Sequence, residues 1–173
     1  DDGRGHTGGR RLKECHRLLR STLPKRGARL QTKVVSSFTT MIQVRFGHVD
    51  PAGIAYYPRI YDYIHEVYEE LWDRYIGVRY DKLLLEERVG FPLVHSEVDF
   101  RAPLRFGDRP IVKVTCTKLG RSSIQLRYVF TRDDVVLVDA RMTTVCTDLR
   151  AMKSIPLRDE HRSRLATLLE TGA

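Results

Sequence analysis

The broadest apolar stripe in the chain runs through residues 57–76. Tyr61, Ile64, Tyr68, Leu71 and Tyr75 recur at spacings of three and four, and Ile60, Val67 and Trp72 widen the stripe beyond that of an ordinary surface helix. Pro58 suits the first helical turn, where a missing N–H leaves no bond unmade. Such a helix would span roughly 30 Å, about the width of a small domain. Elsewhere the period falls to two. It predicts strands over Ser36–Arg45, Val94–Arg101, Ile111–Lys118, Ile124–Phe130 and Val135–Cys146. In the second of these, Val94, Ser96, Val98 and Phe100 form one face and His95, Glu97, Asp99 and Arg101 the other. Turns fall at Phe106-Gly107-Asp108, at Leu119–Ser122 and at Asp133-Asp134. Asp81–Arg88 reads as a short helical turn ended by Gly90, and Arg158–Leu169 as an amphipathic segment that either caps the domain or trails from it. One strand, one long helix and four consecutive antiparallel strands make an α+β domain, whose sheet needs the broad-faced helix as cover.

Composition changes this picture only at the N-terminus. Of the net charge of +8, residues 1–33 hold +7, from ten Lys/Arg against three acids. The remaining residues carry 20 basic and 19 acidic groups, so the high pI belongs to the extension and not to the domain. The division is therefore a basic, poorly ordered extension over 1–33 and a domain over 34–173. Leu12, Cys15, Leu18 and Leu19 allow a short basic amphipathic helix in the extension, so a targeting peptide or a nucleic-acid arm are other readings of it. No apolar run approaches the ~20 residues of a membrane span. Three widely spaced cysteines, Cys15, Cys116 and Cys146, read as reduced packing residues of a cytoplasmic protein. The six histidines show no metal-ligand spacing, and no metal is expected. Phosphate loops and G-x-S-x-G elbows are absent from the sequence.

The chemistry lies in the bend before the long helix. Asp50 sits between Gly47 and Gly53, shortly before a helix start whose free N–H groups can face a developing negative charge. Taken alone, Asp50 reads equally as a turn residue or cap, because Asp, Gly and Pro fill ordinary loops. His48, two residues earlier, reads as a solvated loop residue.

The whole string from Phe46 to Pro58, FGHVDPAGIAYYP, resembles the active-site signature of the 4-hydroxybenzoyl-CoA thioesterase family, a branch of the hot-dog-fold thioesterases. The order of elements agrees with that family to about residue 157. The resemblance implies a hot-dog fold, an antiparallel sheet wrapped around a long central helix. It also implies a homo-oligomer, a dimer or a homotetramer, with sites at the subunit interface. The implied reaction is hydrolysis of an acyl-CoA or aryl-CoA thioester with no cofactor, coenzyme A being part of the substrate. Asp50 would act as nucleophile or general base, and the Tyr57 backbone N–H would polarise the thioester carbonyl. Gly53 would permit close approach, and Arg121 and Ser122 would meet the CoA phosphates. His65 departs from the pattern: hydroxybenzoyl-specific members carry an Asp there, so a different acyl group is implied. An acyl-carrier-protein substrate, or a non-catalytic module that binds nucleic acid through the basic extension, are the alternative functions.

Overall fold

The computed structural model describes residues 36–170. The readings of the basic extension and of Cys15 lie outside these residues. Strand β1 (Phe38–Met41) leads through an irregular segment and a single 3-10 turn at Phe46–His48 to helix α1 (Pro58–Glu70). This helix continues as one π-helical turn over Leu71–Ile76 and closes on Gly77, whose φ of 86° is the left-handed conformation glycine tolerates. A short helix α2 (Tyr80–Leu85) follows, then strands β2 (Val89–Gly90), β3 (Leu93–Phe100), β4 (Ile111–Leu119), β5 (Ser123–Arg132) and β6 (Val135–Val145). Two two-residue strands, β7 (Thr147–Asp148) and β8 (Lys153–Ser154), precede helix α3 (Asp159–Ala166).

The main sheet has the order β1-β4-β5-β6-β3, and every neighbouring pair is antiparallel. Helix α1 lies on its concave side. Ile60, Tyr63, Ile64, Val67, Tyr68, Leu71 and Trp72 pack into one core with the inward residues of β4, β5 and β6. Along β5, Ile124, Leu126, Tyr128 and Phe130 are all buried, as their spacing requires. The β5–β6 connection is a two-residue turn with both Asp133 and Asp134 at positive φ, the geometry that matches strand twist in tight hairpins. Trp72 is fully buried, its ring 4.5 Å from Phe91 and edge-on to His161. Helix α3 caps this end of the core through Leu165 and His161, and the Cys116 N–H donates to Leu168 O at 2.9 Å. Burial pushes the His161 imidazole pKa down, so it is held neutral against the indole.

Several sequence expectations need correction. The first strand is regular only over Phe38–Met41. Ile42 and Val44 donate instead to Pro110 O and Asp108 O in an irregular extension, because Pro110 has no N–H to return. The helix stripe holds at Ile60, Ile64, Val67, Tyr68, Leu71 and Trp72, all buried, but Tyr61 lies at its exposed edge and Tyr63 is buried instead. Gly90 does not end a helix but pairs with Thr147 in the small sheet β2-β7-β8, which the sequence pattern did not indicate. In β3, Val94 and Phe100 are 59% and 56% exposed despite their alternation, because β3 is the sheet's free edge and its ends overhang the core. Cys116 and Cys146 are buried free thiols, as expected. No helix among the described residues is long and apolar enough to cross a membrane.

Candidate active site

Asp50 stands on a compact loop that the backbone itself ties shut. Asp50 N–H donates to Ile54 O and Gly53 N–H to Asp50 O, both at 2.9 Å, and Val49 and Ala55 form an isolated antiparallel bridge. The turn needs a left-handed residue, and Gly53 supplies it with φ 77°. No protein atom lies within 4 Å of where a Gly53 Cβ would sit, so the backbone conformation, not crowding by the protein, demands glycine here. One carboxylate oxygen of the half-buried Asp50, Oδ1, accepts the Ala52 N–H at 2.8 Å. The turn role is thus real: Oδ1 holds the loop, while Oδ2 has no hydrogen-bond partner among the described residues.

The start of α1 offers one uncommitted donor. Arg59 N–H donates to Tyr56 O at 2.8 Å and Ile60 N–H to Tyr57 O at 3.1 Å, while Pro58 has no N–H. That leaves the Tyr57 N–H, which has no acceptor among the described residues, at the positive end of the helix. Asp50 and Tyr57 line the same cleft of about 410 Å³. Its walls are apolar, from Ile54, Ile60, Pro103, Leu104 and Val138. A carboxylate and a free main-chain donor on an apolar cleft can act on the two atoms of one carbonyl group. Tyr57 is 64% exposed, and its ring rests edge-on against Tyr56, 5.0 Å away.

The other expected site residues lie elsewhere along the sheet. His65 lines a second pocket of about 290 Å³, with Tyr61, Tyr68, Leu93, Met142 and Thr144. Its ring faces Glu69 at 3.1 Å, and its side chain is 59% exposed. Inside that pocket's wall, the buried Tyr68 hydroxyl lies beside the Thr144 hydroxyl and the Trp72 indole N–H, none of them in full hydrogen-bond geometry, and both neighbours oppose the upward push of burial on its pKa. On β6 the first cleft meets Val138 and the second meets Met142 and Thr144, roughly 13 to 20 Å along the strand, while on α1 they are lined by the neighbouring residues Ile60 and Tyr61. Arg121 and Ser122 are farther still. They flank a small polar recess of about 220 Å³ with Ser154 and Pro156, beyond the far ends of β5 and β6. Within one chain the structure joins Asp50 to Tyr57 and Gly53, but not to His65, Arg121 or Ser122.

A profile of the thioesterase-like superfamily matches residues 44–165, most of the described domain. The chain belongs to this superfamily. The 1,4-dihydroxy-2-naphthoyl-CoA hydrolase of Nostoc punctiforme is 32% identical over 124 residues, covering 72% of this chain and 83% of that protein. Among solved structures, a 1,4-dihydroxy-2-naphthoyl-CoA thioesterase from Synechocystis superposes with a TM-score of 0.69 at 27% identity, covering 76% of this chain and 96% of that one. A thioesterase-superfamily protein from Jannaschia gives a TM-score of 0.73 at 28% identity, over 79% and 95% of the two chains. The sheet curled around α1 is accordingly the hot-dog fold.

Two parts of this thioesterase-like domain escaped the sequence reading. The loop Arg101–Leu104, read only as the close of a strand, forms the wall of the cleft opposite α1. Its apolar residues directly after a strand end were the available signal. His48 is half-buried, not solvated: its Nδ1 lies 2.8 Å from the hydroxyl of the buried Tyr63 and 3.3 Å from the Arg45 main-chain nitrogen. Nothing in a spacing of fifteen residues signals that contact. Among the described residues no cluster of His, Cys, Asp and Glu could hold a metal.

Proposed function

We propose that this chain hydrolyses an aryl-CoA or acyl-CoA thioester, with Asp50 as the reacting carboxylate and the Tyr57 N–H as the oxyanion donor. The observation that carries the reading is their meeting in one apolar cleft at the start of α1. The thioester carbonyl oxygen takes the Tyr57 N–H, and negative charge gathers there as the carbon becomes tetrahedral. Asp50 then acts in one of two ways. As nucleophile, its oxygen bonds the carbonyl carbon, CoA leaves as thiolate and water opens the resulting anhydride. As general base, it takes the proton from an attacking water; the tetrahedral intermediate then collapses, the C–S bond breaks, and that proton goes to the departing CoA thiolate. Relatives named as naphthoyl-CoA hydrolases favour an aromatic acyl group.

The same reading includes a homo-oligomer. Strand β3 is a free edge, with Phe100 beside the Asp50 cleft and Leu93 beside the His65 pocket. Antiparallel pairing of two β3 edges about a twofold axis sets the Phe100 end of one subunit against the Leu93 end of the other. His65, and beyond it Arg121 and Ser122, would then serve the partner's Asp50 cleft. A hydrolysis screen over aryl-, short-chain and long-chain acyl-CoAs, with one acyl-carrier-protein thioester, tests the function. Turnover confined to the carrier protein would shift the reading to that donor, and no turnover of any thioester would overturn it.

A further inference from the structure

We infer that His48 is a positioning residue for this hydrolysis, a neutral imidazole that fixes the Asp50 loop against the start of α1. The inference rests on the reading of Asp50 and Tyr57 as the reacting pair. His48 is joined to three segments at once. Its carbonyl accepts the Tyr56 N–H at 2.9 Å, next to the Tyr57 donor, and its own N–H donates to Arg45 O at 3.0 Å. Its Nδ1 meets the Tyr63 hydroxyl at 2.8 Å, on the buried face of α1. Two residues on, the chain reaches Asp50. Any shift of His48 thus moves the carboxylate relative to the helix start that carries the N–H.

The bonding partners decide the protonation state. The Arg45 main-chain N–H points at Nδ1 and can only donate, so Nδ1 accepts and the ring proton sits on Nε2. Tyr63 must then donate. Burial pushes its phenol pKa up to about 12, which keeps the donating proton in place. A second ring proton would set Nδ1–H against the Arg45 N–H and undo this contact. The charged groups facing the ring do not compel that proton. Arg45 and Arg109 line the adjoining cleft along with Glu66 and Glu70, and Glu70 is already engaged by Arg74 and Thr40.

The test compares His48→Ala, His48→Asn and Tyr63→Phe. Asparagine places an acceptor oxygen near the Nδ1 position and does not titrate. Expected for His48→Ala is a kcat lower by ~10- to 100-fold with KM within about threefold, as for a reacting group displaced by about 1 Å. His48→Asn restores most of that loss, and Tyr63→Phe added to His48→Ala costs nothing further. Two readouts do not depend on activity: nitrogen-15 NMR of wild type should show the Nε2–H tautomer at His48, and amide exchange at residues 49–56 should quicken in His48→Ala. A wild type that hydrolyses no thioester yet passes both would sink the function and leave the clamp standing. An Nδ1–H tautomer, unchanged exchange, or a His48→Ala kcat within threefold of wild type would overturn the inference.

Discussion

The two ends of the main sheet are built on different principles. At the Asp50 end the cleft is made by loops. Its shape comes from main-chain hydrogen bonds, from one left-handed glycine and from the uncapped start of α1. At the His65 end the pocket is made by regular elements. Most of its walls are aromatic and aliphatic side chains of α1, β3, β5 and β6, joined by the Phe91-Pro92 link, and its buried hydroxyls face one another outside full hydrogen-bond geometry. The first arrangement presents two polar groups on one apolar cleft. The second encloses a more apolar shape. If the proposed function holds, the reaction belongs to the first end and acyl selection to the second, with function grafted onto a shared fold.

Substitution of the one carboxylate in the loop-built cleft should show the largest effect. Asp50→Asn keeps an oxygen to accept the Ala52 N–H, so the loop should hold. It removes the charge that either chemical route requires. The expected loss of kcat is on the order of 10²-fold or more, with Tm within about 2 °C of wild type. Turnover near wild type would break the assignment of chemistry to this end.

The next test asks whether the far end serves the near one. Arg121→Ala should raise KM for CoA thioesters about tenfold and leave a short thioester lacking the nucleotide unaffected. Mixing Asp50→Asn with Arg121→Ala should then restore a low-KM component, because mixed dimers contain one site with both groups intact. Without restoration Arg121 is not supplied by the partner. An unchanged KM would make Arg121 and Ser122 an ordinary surface turn.

How much of this was legible follows the same division. Strand β5 was readable because buried and outward residues alternate without a break, and so was the helix, because Pro58, Ile64, Tyr68 and Leu71 all agree. That Asp50, Gly53 and the Tyr57 N–H lie on one bend was legible because most of the bend's bonds are local, apart from the Ala55 N–H to Leu104 O, and the string Phe46–Pro58 has a known likeness. Strand β3 misled because alternation records which residues share a face, not whether anything covers that face. One edge of the α1 stripe was misread because Tyr61 and Tyr63 are equally apolar by type, and only tertiary packing selects Tyr63 for burial. The small sheet β2-β7-β8 was missed because strands of two residues have no period to detect. Contacts such as His48 with Tyr63 depend on tertiary geometry alone.

At the His65 end a smaller effect is expected, on stability. The buried Tyr68 hydroxyl meets Thr144 and Trp72 only outside full hydrogen-bond geometry, and burial raises its phenol far above the usual tyrosine pKa. Removing a buried hydroxyl so poorly satisfied while keeping the ring should not destabilise. Tyr68→Phe is expected to leave stability unchanged or raise it by up to about 1 kcal/mol in urea unfolding. A loss beyond ~1 kcal/mol would mean that the hydroxyl is satisfied in the folded protein and that this pocket reads hydrogen bonds after all.

The smallest effect concerns acyl specificity at His65. An ionised carboxylate only accepts hydrogen bonds and so selects a phenolic donor, whereas a neutral imidazole offers one donor and one acceptor. Strong discrimination needs a site group that is left unpaired by the wrong substrate, and His65 already has Glu69 at 3.1 Å. Wild type should therefore not separate 4-hydroxybenzoyl-CoA from benzoyl-CoA strongly, with kcat/KM values within about 30-fold, or roughly 2 kcal/mol. His65→Asp should move the ratio toward the hydroxylated substrate. Because the side chain at this position is 59% exposed, water competes for any bond it makes. The shift should accordingly be only about threefold, or ~0.7 kcal/mol. The measurement is the pair of kcat/KM values on wild type and variant under one set of conditions. A shift of about 100-fold would show that the pocket is far more enclosed in the assembled enzyme than in one chain, because only a desolvated carboxylate discriminates on that scale. An unmoved ratio would place the acyl ring away from His65, and the division of labour between the two ends would then rest on Tyr68, Thr144 and the pocket's apolar walls.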